Sequence, residues 1–195
     1  MRVIVDNIKY ELDTVDKTAK VIGYKYVPVE VIIPEYVEYE TKKYKVTSIC
    51  HDTFNDCQSL KSIVIPDSVT SIGYYAFYRV GLTLPKRYTE DGRLIAYKGF
   101  NGDMTCRDFQ YEEGKCYEIE GEIKCCNRGF HACTNLLDVF DYYCGHINKY
   151  IIIHEVYLSG TLDEEYLLDS KVCASKIEIG RRLSINDINE IINSK

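Results

Sequence analysis

Val46-Thr47-Ser48-Ile49-Cys50-His51-Asp52-Thr53-Phe54 is followed 23 residues later by Val69-Thr70-Ser71-Ile72-Gly73-Tyr74-Tyr75-Ala76-Phe77, with Val-Thr-Ser-Ile and the closing Phe held in place. Recurrence at a fixed spacing of this size marks a chain built by stacking one small unit on the next. After the first copy, Ser59-Leu60-Lys61-Ser62-Ile63-Val64-Ile65-Pro66 spaces Leu60, Ile63 and Ile65 along one apolar face and ends on a proline. Each unit therefore reads as a short strand, a turn around a buried Phe, and a second strand. So small a unit cannot bury its own apolar face, and neighbours must stack around a continuous core. Ile49, Phe54, Leu60, Ile63, Ile72 and Phe77 are the residues predicted to lie inside it.

These residues closely resemble the BspA-type leucine-rich repeat, whose pattern runs V-T-S-I, a short gap, A-F, a polar turn, S-L and I-x-I-P. Ala76-Phe77 fits the pattern, and Thr53 stands where Ala is usual. Upstream, Asp6-Asn7-Ile8-Lys9-Tyr10-Glu11-Leu12, Ala19-Lys20-Val21, Val31-Ile32-Ile33-Pro34 and Tyr44-Lys45-Val46 extend the resemblance, which covers about residues 3 to 85. It implies a short, right-handed, β-rich solenoid that presents a binding surface and carries no chemistry. Tyr24, Tyr26, Tyr36, Tyr39, Tyr44, Tyr74, Tyr75 and Tyr78 are many tyrosines for such a stretch, and tyrosine is enriched where proteins meet partners. Tyr74, Tyr75 and Tyr78 are the candidates for partner contact. Downstream the array is truncated: Phe77 to Pro85 spans 8 residues where Phe54 to Pro66 spans 12. The chain beyond Pro85 must cap it, because an open apolar end is an aggregation face.

Lys86-Arg87-Tyr88-Thr89-Glu90-Asp91-Gly92 ends the apolar period on an Asp-Gly turn signal. The domain boundary is placed there, giving a leucine-rich repeat-like domain over 1–88 and a small α+β domain over 89–195. In the second, strands are expected at 94–100, at 109–119 about a central Gly turn, at 151–158 and at 171–179. Thr134-Asn135 opens a short helix with Leu136, Phe140 and Tyr143 on one face and Gly145 past its end. Ser184 caps a closing helix with Ile185, Ile188, Ile191 and Ile192 along one side.

The whole chain has 195 residues, 46% apolar and 28% charged, an ordinary globular composition. Its apolar runs, such as Tyr150-Ile151-Ile152-Ile153, fall far short of the roughly 20 residues of a membrane-spanning helix. Met1-Arg2-Val3-Ile4-Val5-Asp6 meets a carboxylate too early for a secretory leader, so a cytoplasmic location is expected. Of the net charge of −6, residues 1–90 contribute nothing (12 Lys+Arg against 12 Asp+Glu) and residues 91–195 contribute it all (12 against 18). An acidic second half argues against nucleic-acid binding through the phosphate backbone and suits a basic protein patch. Asp163, Glu164 and Glu165 are the acidic candidates for such a contact. Nine cysteines contain no C-x-x-C pair, and only Cys125 and Cys126 adjoin. No metal and no cofactor are expected, and the thiols read as reduced and mostly buried.

Tyr97-Lys98-Gly99-Phe100, Gln110-Tyr111-Glu112-Glu113-Gly114-Lys115-Cys116-Tyr117, Gly129-Phe130-His131-Ala132-Cys133 and Ser170-Lys171-Val172-Cys173-Ala174-Ser175-Lys176-Ile177 together resemble a family of uncharacterised domains found in phage and bacterial proteins. The resemblance covers about residues 94 to 185 and implies no activity. The order of these segments is also similar to the ADP-ribosyltransferase fold, where an Arg or His on the first strand, a Gly-Phe-x-Ser-Thr-like segment and a late Glu hold NAD. Tyr97 or Lys98 stands at the first of these positions, and His131 and Thr134 at the second. Ser175-Lys176 occupies the place of the Glu, with Glu178 the nearest carboxylate. Transfer chemistry is therefore not expected. The resemblance instead implies a cleft formed by Tyr97, Lys98, His131 and Thr134, where helix N-terminal amides would favour a phosphate-bearing small molecule.

His131 reads either as an acid or base near neutral pH or as a half-buried ring bonded to local backbone. A nucleophilic pair with Cys133 would need that thiol at a helix N-terminus, and His154, alternating with apolar neighbours, reads as structural. Two functions compete. The leading one is a non-enzymatic protein-binding module whose partner is a host or bacterial protein, a phage-encoded inhibitor of a host defence protein such as a nuclease being one form. The alternative is an NAD- or nucleotide-binding, ADP-ribosyltransferase-like domain without turnover.

Overall fold

The computed structural model describes residues 1–143, 145–147, 151–164 and 169–194. In chain order the strands are β1 (Arg2–Val5), β2 (Ile8–Asp13), β3 (Thr18–Tyr24), β4 (Glu30–Ile32), β5 (Tyr36–Tyr39), β6 (Lys42–Ile49), β7 (Ser62–Val64), β8 (Ser71–Ile72) and β9 (Arg87–Tyr88). Then come β10 (Leu94–Asn101), β11 (Thr105–Cys106), β12 (Phe109–Gln110), β13 (Cys116–Glu118) and β14 (Phe130–Cys133). A 3₁₀ helix (Leu136–Asp141), β15 (Gly145–His146), β16 (Ile151–Asp163), β17 (Lys171–Arg182) and α1 (Ile185–Asn193) complete the order. The described residues form two compact units, one of 1–82, 145–147 and 184–194, the other of 83–143, 151–164 and 169–183.

In the first unit β1, β2 and β3 form an antiparallel meander, after which β3, β6 and β8 lie parallel, as stacked repeats require. The recurrence sets the register: Ser48 pairs with Ser71 and Ile49 with Ile72. The Phe54 N–H donates to the Ala76 carbonyl at 2.9 Å and the Gly73 N–H to that of Ile49 at 2.9 Å. Gly73 has no side-chain option, since a Cβ there would lie 2.3 Å from the His51 backbone nitrogen. β4 and β7 run parallel on another face, with Val31 opposite Ile63. All six predicted interior residues are buried. Tyr44 is buried with them, and Tyr24 is half-buried with its ring 6.1 Å from that of Phe54, so neither is a surface aromatic.

The cap comes from far along the chain. β15 pairs antiparallel with β8, and the Ile147 N–H donates to the Thr70 carbonyl. Beside β7 sits α1, its start fixed by a capping box between Ser184 and Asp187 and its Ile185, Ile188, Ile191 and Ile192 buried. Its amides take the place of a further strand: Asn189 accepts from the Ile65 N–H (2.8 Å) and donates to the Ile65 carbonyl (2.6 Å), while Asn193 donates to the Ile63 carbonyl (2.9 Å).

The second unit is a closed ring of antiparallel strands, because β17 pairs with β14, β14 with β10, β10 with β16, and β16 again with β17. β13 adds to β17 and β9 to β10. Leu94, Ala96, Phe100, Phe130, Ala132, Val156, Val172 and Ile177 are among its buried core. The expected α+β character does not appear among the described residues. The predicted first helix is a six-residue 3₁₀ turn, Gly145 lies in β15 rather than past a helix end, and the α-helix folds with the first unit. The expected hairpin over 109–119 is also two separate pairings: β12 pairs with β11, and β13 with β17. Gly114, at φ 77°, makes the intervening turn.

Candidate functional site

Strand parity builds a cleft of about 650 Å³ in the second unit. Along β10, Leu94, Ala96, Lys98 and Phe100 share a face by period two, and three of these four are core residues. The fourth places an amine among them, 6% exposed. Lys98 Nζ donates to the His131 carbonyl at 2.9 Å and to Cys106 Sγ at 3.4 Å, and lies 5.5 and 5.6 Å from the ring centroids of Phe100 and Tyr111. Burial lowers its proton affinity. Cys106 Sγ is 2.8 Å from the Tyr143 hydroxyl. The Tyr143 ring rests against Gly99, where a Cβ would come within 2.4 Å of a ring carbon, so the glycine of Tyr97-Lys98-Gly99 makes room for this wall.

His131, on β14, accepts the Cys126 N–H at Nε2 (2.9 Å). Burial and the nearby cations Lys98, Arg107 and Lys171 bring its pKa down to about 4, which leaves the ring neutral at pH 7. The ring is thus bonded to local backbone, its Nε2 bond being to an N–H rather than to the expected carbonyl. Cys133 is buried and its thiol is pushed well up, which disfavours the thiolate that a nucleophilic pair needs. His154 is structural, fully buried, with Nδ1 2.8 Å from the Gly180 carbonyl oxygen.

Three of the four predicted ligand residues, Tyr97, Lys98 and His131, line the cleft. Thr134 does not: its N–H and hydroxyl both reach the Ser170 carbonyl. Nor does the 3₁₀ helix supply donors to a ligand, because Asn135 Oδ1 accepts the Leu137 N–H and Ser170 Oγ accepts that of Asn135. Sequence reasoning missed Cys106, Arg107, Phe109, Tyr143 and Lys171, which come from loops, short strands and the start of β17. Among the described residues no carboxylate lines the cleft. Ser175 Oγ accepts the Thr161 N–H, Lys176 pairs with Glu118, and Glu178 pairs with Arg93 at 2.6 Å.

In the first unit, Tyr74, Tyr75 and Tyr78 touch, with ring centroids 5.7 and 5.2 Å apart in succession. Tyr74 and Tyr75 are 46% and 45% exposed. Tyr75 holds φ 53°, as Asp52 holds 55° one repeat earlier, and Arg79 and Asp56 match in the same way. Of the acidic candidates, Asp163 accepts the Cys125 N–H (2.7 Å), Glu164 pairs with Lys86, and Glu165 lies outside the described residues. Among the described residues no three His, Cys, Asp or Glu side chains converge as metal ligands, and no helix is long and apolar enough to cross a membrane.

Residues 36–98 match the BspA type leucine-rich repeat region. Similar solved structures include a leucine rich cell surface protein of Faecalibacterium prausnitzii (32% identity, 40% of this chain and 21% of that chain, TM-score 0.37). A leucine-rich repeat protein of Bacteroides ovatus is 35% identical over 39% of this chain and 20% of that chain, and one of Bacteroides capillosus is 30% identical over 40% and 58%, both with TM-score 0.37. The chain thus spans about a fifth of the first two and just over half of the third. No curated protein matches it. Residues 94–191, half of the chain and the span that holds the cleft, match the domain of unknown function DUF7666, and the chain belongs to that family.

Proposed function

We propose that this protein is a protein-interaction module whose contact surface is the tyrosine cluster of the repeat unit. The observation that carries this reading is a run of touching rings in which Tyr74 and Tyr75 are exposed and Tyr78 is half-buried. One repeat earlier the same positions hold His51, Asp52 and Asn55, an ordinary polar turn. Folding gains nothing from the exchange, because a left-handed backbone costs a non-glycine residue about 1 kcal/mol or more and suits Asp far better than Tyr. Large, stiff rings with a polar tip are what a contact surface uses.

The narrower form, an inhibitor of a host defence protein acting through the acidic segment, has less support. Asp163 and Glu164 are engaged within their own unit, so the tyrosines carry the proposal. Turnover by a transferase-like domain would need a carboxylate beside the ligand, and Glu178 is held by Arg93 away from the cleft.

A photo-crosslinking phenylalanine analogue at position 75, and at position 51 as the matched control, tests the reading in intact source cells. A single defined protein adduct at 75 that is absent at 51, and lost when Tyr74 and Tyr78 are both changed to Ser, is the expected result. Identical adducts at both positions would show a surface without selectivity and overturn it.

A further inference from the structure

A buried charge is ordinarily paired, and Lys98 departs from that rule. Its amine sits on the inner face of a strand, between the core residues Ala96 and Phe100, and among the described residues no carboxylate lies within ion-pair distance. Its polar partners are the His131 carbonyl and Cys106 Sγ. Two further cations, Arg107 and Lys171, line the same cleft, Lys171 with its amine 4.2 Å from the centroid of the Tyr142 ring and 3.4 Å from Cys126 Sγ. The second half of the chain has a surplus of acid, yet among the described residues no Asp or Glu lines this cleft. Phe109, Tyr111, Phe130, Tyr142 and Tyr143 also line it. Phe109 meets Tyr111 and Tyr117 edge-on and stays 45% exposed.

We infer that this cleft binds a small molecule in which a planar aromatic ring carries a phosphate. A phosphomonoester brings nearly two negative charges and several acceptor oxygens, which answers a cluster of three cations better than a single carboxylate does. The ring matches the aromatic walls by stacking and edge contacts, and the volume falls within the range of small-molecule sites. Nucleotides and phosphorylated non-nucleotide rings share this chemistry. A nucleic-acid strand is disfavoured by the surplus of acid in residues 91–195. This inference stands apart from the reading of the tyrosine cluster, which lies in the other unit.

Calorimetric titration of the full chain with AMP, phenyl phosphate, adenosine and inorganic phosphate tests it. AMP and phenyl phosphate should bind, with adenosine and inorganic phosphate each at least about tenfold weaker than the tighter of the two. Preference for AMP identifies a nucleotide as the source, and preference for phenyl phosphate a non-nucleotide ring. Lys98→Met keeps the length of the side chain and removes the lone charge, so its thermal midpoint should equal or exceed that of the parent while affinity falls at least about tenfold. If that variant does not fold, Arg107→Glu at the exposed rim should produce the same loss with an unchanged midpoint. Adenosine or inorganic phosphate binding as well as the tighter of the two phosphorylated rings, no binding of any probe, or parental affinity in the folded variants would each overturn the assignment. So would tighter binding of a single-stranded oligonucleotide than of either phosphorylated ring.

Discussion

Phe54 and Phe77 stand one repeat apart and stack with centroids 5.7 Å apart and ring planes 4° from parallel. Tyr24 continues the column on the other side of Phe54. Phe77→Ala should cost about 3–5 kcal/mol, the usual range for deleting a buried ring, and Phe54→Ala at least as much because it breaks two ring contacts. Urea denaturation of the full chain checks both, and an unchanged midpoint for Phe77→Ala would count against a stacked core.

The cap should be as sensitive as the core. Asn189→Leu removes the partner of both the Ile65 N–H and the Ile65 carbonyl, and a buried backbone group left unpaired costs about 1–3 kcal/mol. The exposed strand edge should also promote self-association. Light scattering across a concentration series should show larger species for the variant than for the parent.

His131 and Asp141 should give opposite pH dependences. The His131 pKa is about 4, below its unfolded value, so its contribution is complete above about pH 6.5 and is lost as pH falls toward 4. Asp141 is buried, with one carboxylate oxygen lacking a partner, and burial followed by repulsion from Asp138 and Asp169 raises its pKa to about 7. Its contribution is complete below about pH 3.8 and is lost as pH rises through 7. Asp141→Asn should therefore gain stability relative to the parent at pH 7.5 and gain little at pH 4. His131→Gln should lose its disadvantage relative to the parent as pH falls from 7 to 4. Denaturation of the three proteins at pH 4, 5.5 and 7.5 resolves the signs.

The eight described cysteines are free thiols, and only three of them are buried where most were expected to be; burial pushes Cys133 well up and Cys173 to about 12. Titration of protein purified without reductant and then denatured should count close to nine thiols, while in the native state the three buried ones, Cys57, Cys133 and Cys173, should react slowest. Two or more stable bridges would contradict this.

The stacked core was legible because a period of 23 residues repeats its apolar positions, and local sequence is enough to see that. The closing helix was legible as a helix from Ser184 and its isoleucines. Its place was not, since Asn189 meets Ile65 from 124 residues away and no local pattern reports such a contact. Two asparagines four residues apart beside an isoleucine stripe were the available hint. In the second unit, Tyr97, Lys98 and His131 were found through resemblance. The parity of Leu94, Ala96, Lys98 and Phe100 would have marked Lys98 independently, whereas Arg107 and Lys171 are brought in only by closure of the strand ring.

Because β15 already occupies the outer edge of β8 and α1 holds the backbone of the β7 segment, the array has a built-in stop. Duplication can lengthen it only from within. A new unit inserted between Phe54 and Val69 would meet on each side the same faces that its neighbours already offer, but one added after Phe77 would displace Asn189 and Asn193 from the backbone they hold. Relatives with more repeats should therefore keep the asparagine-bearing helix and vary in the middle, as a zip fastener is extended between its stops and never beyond them.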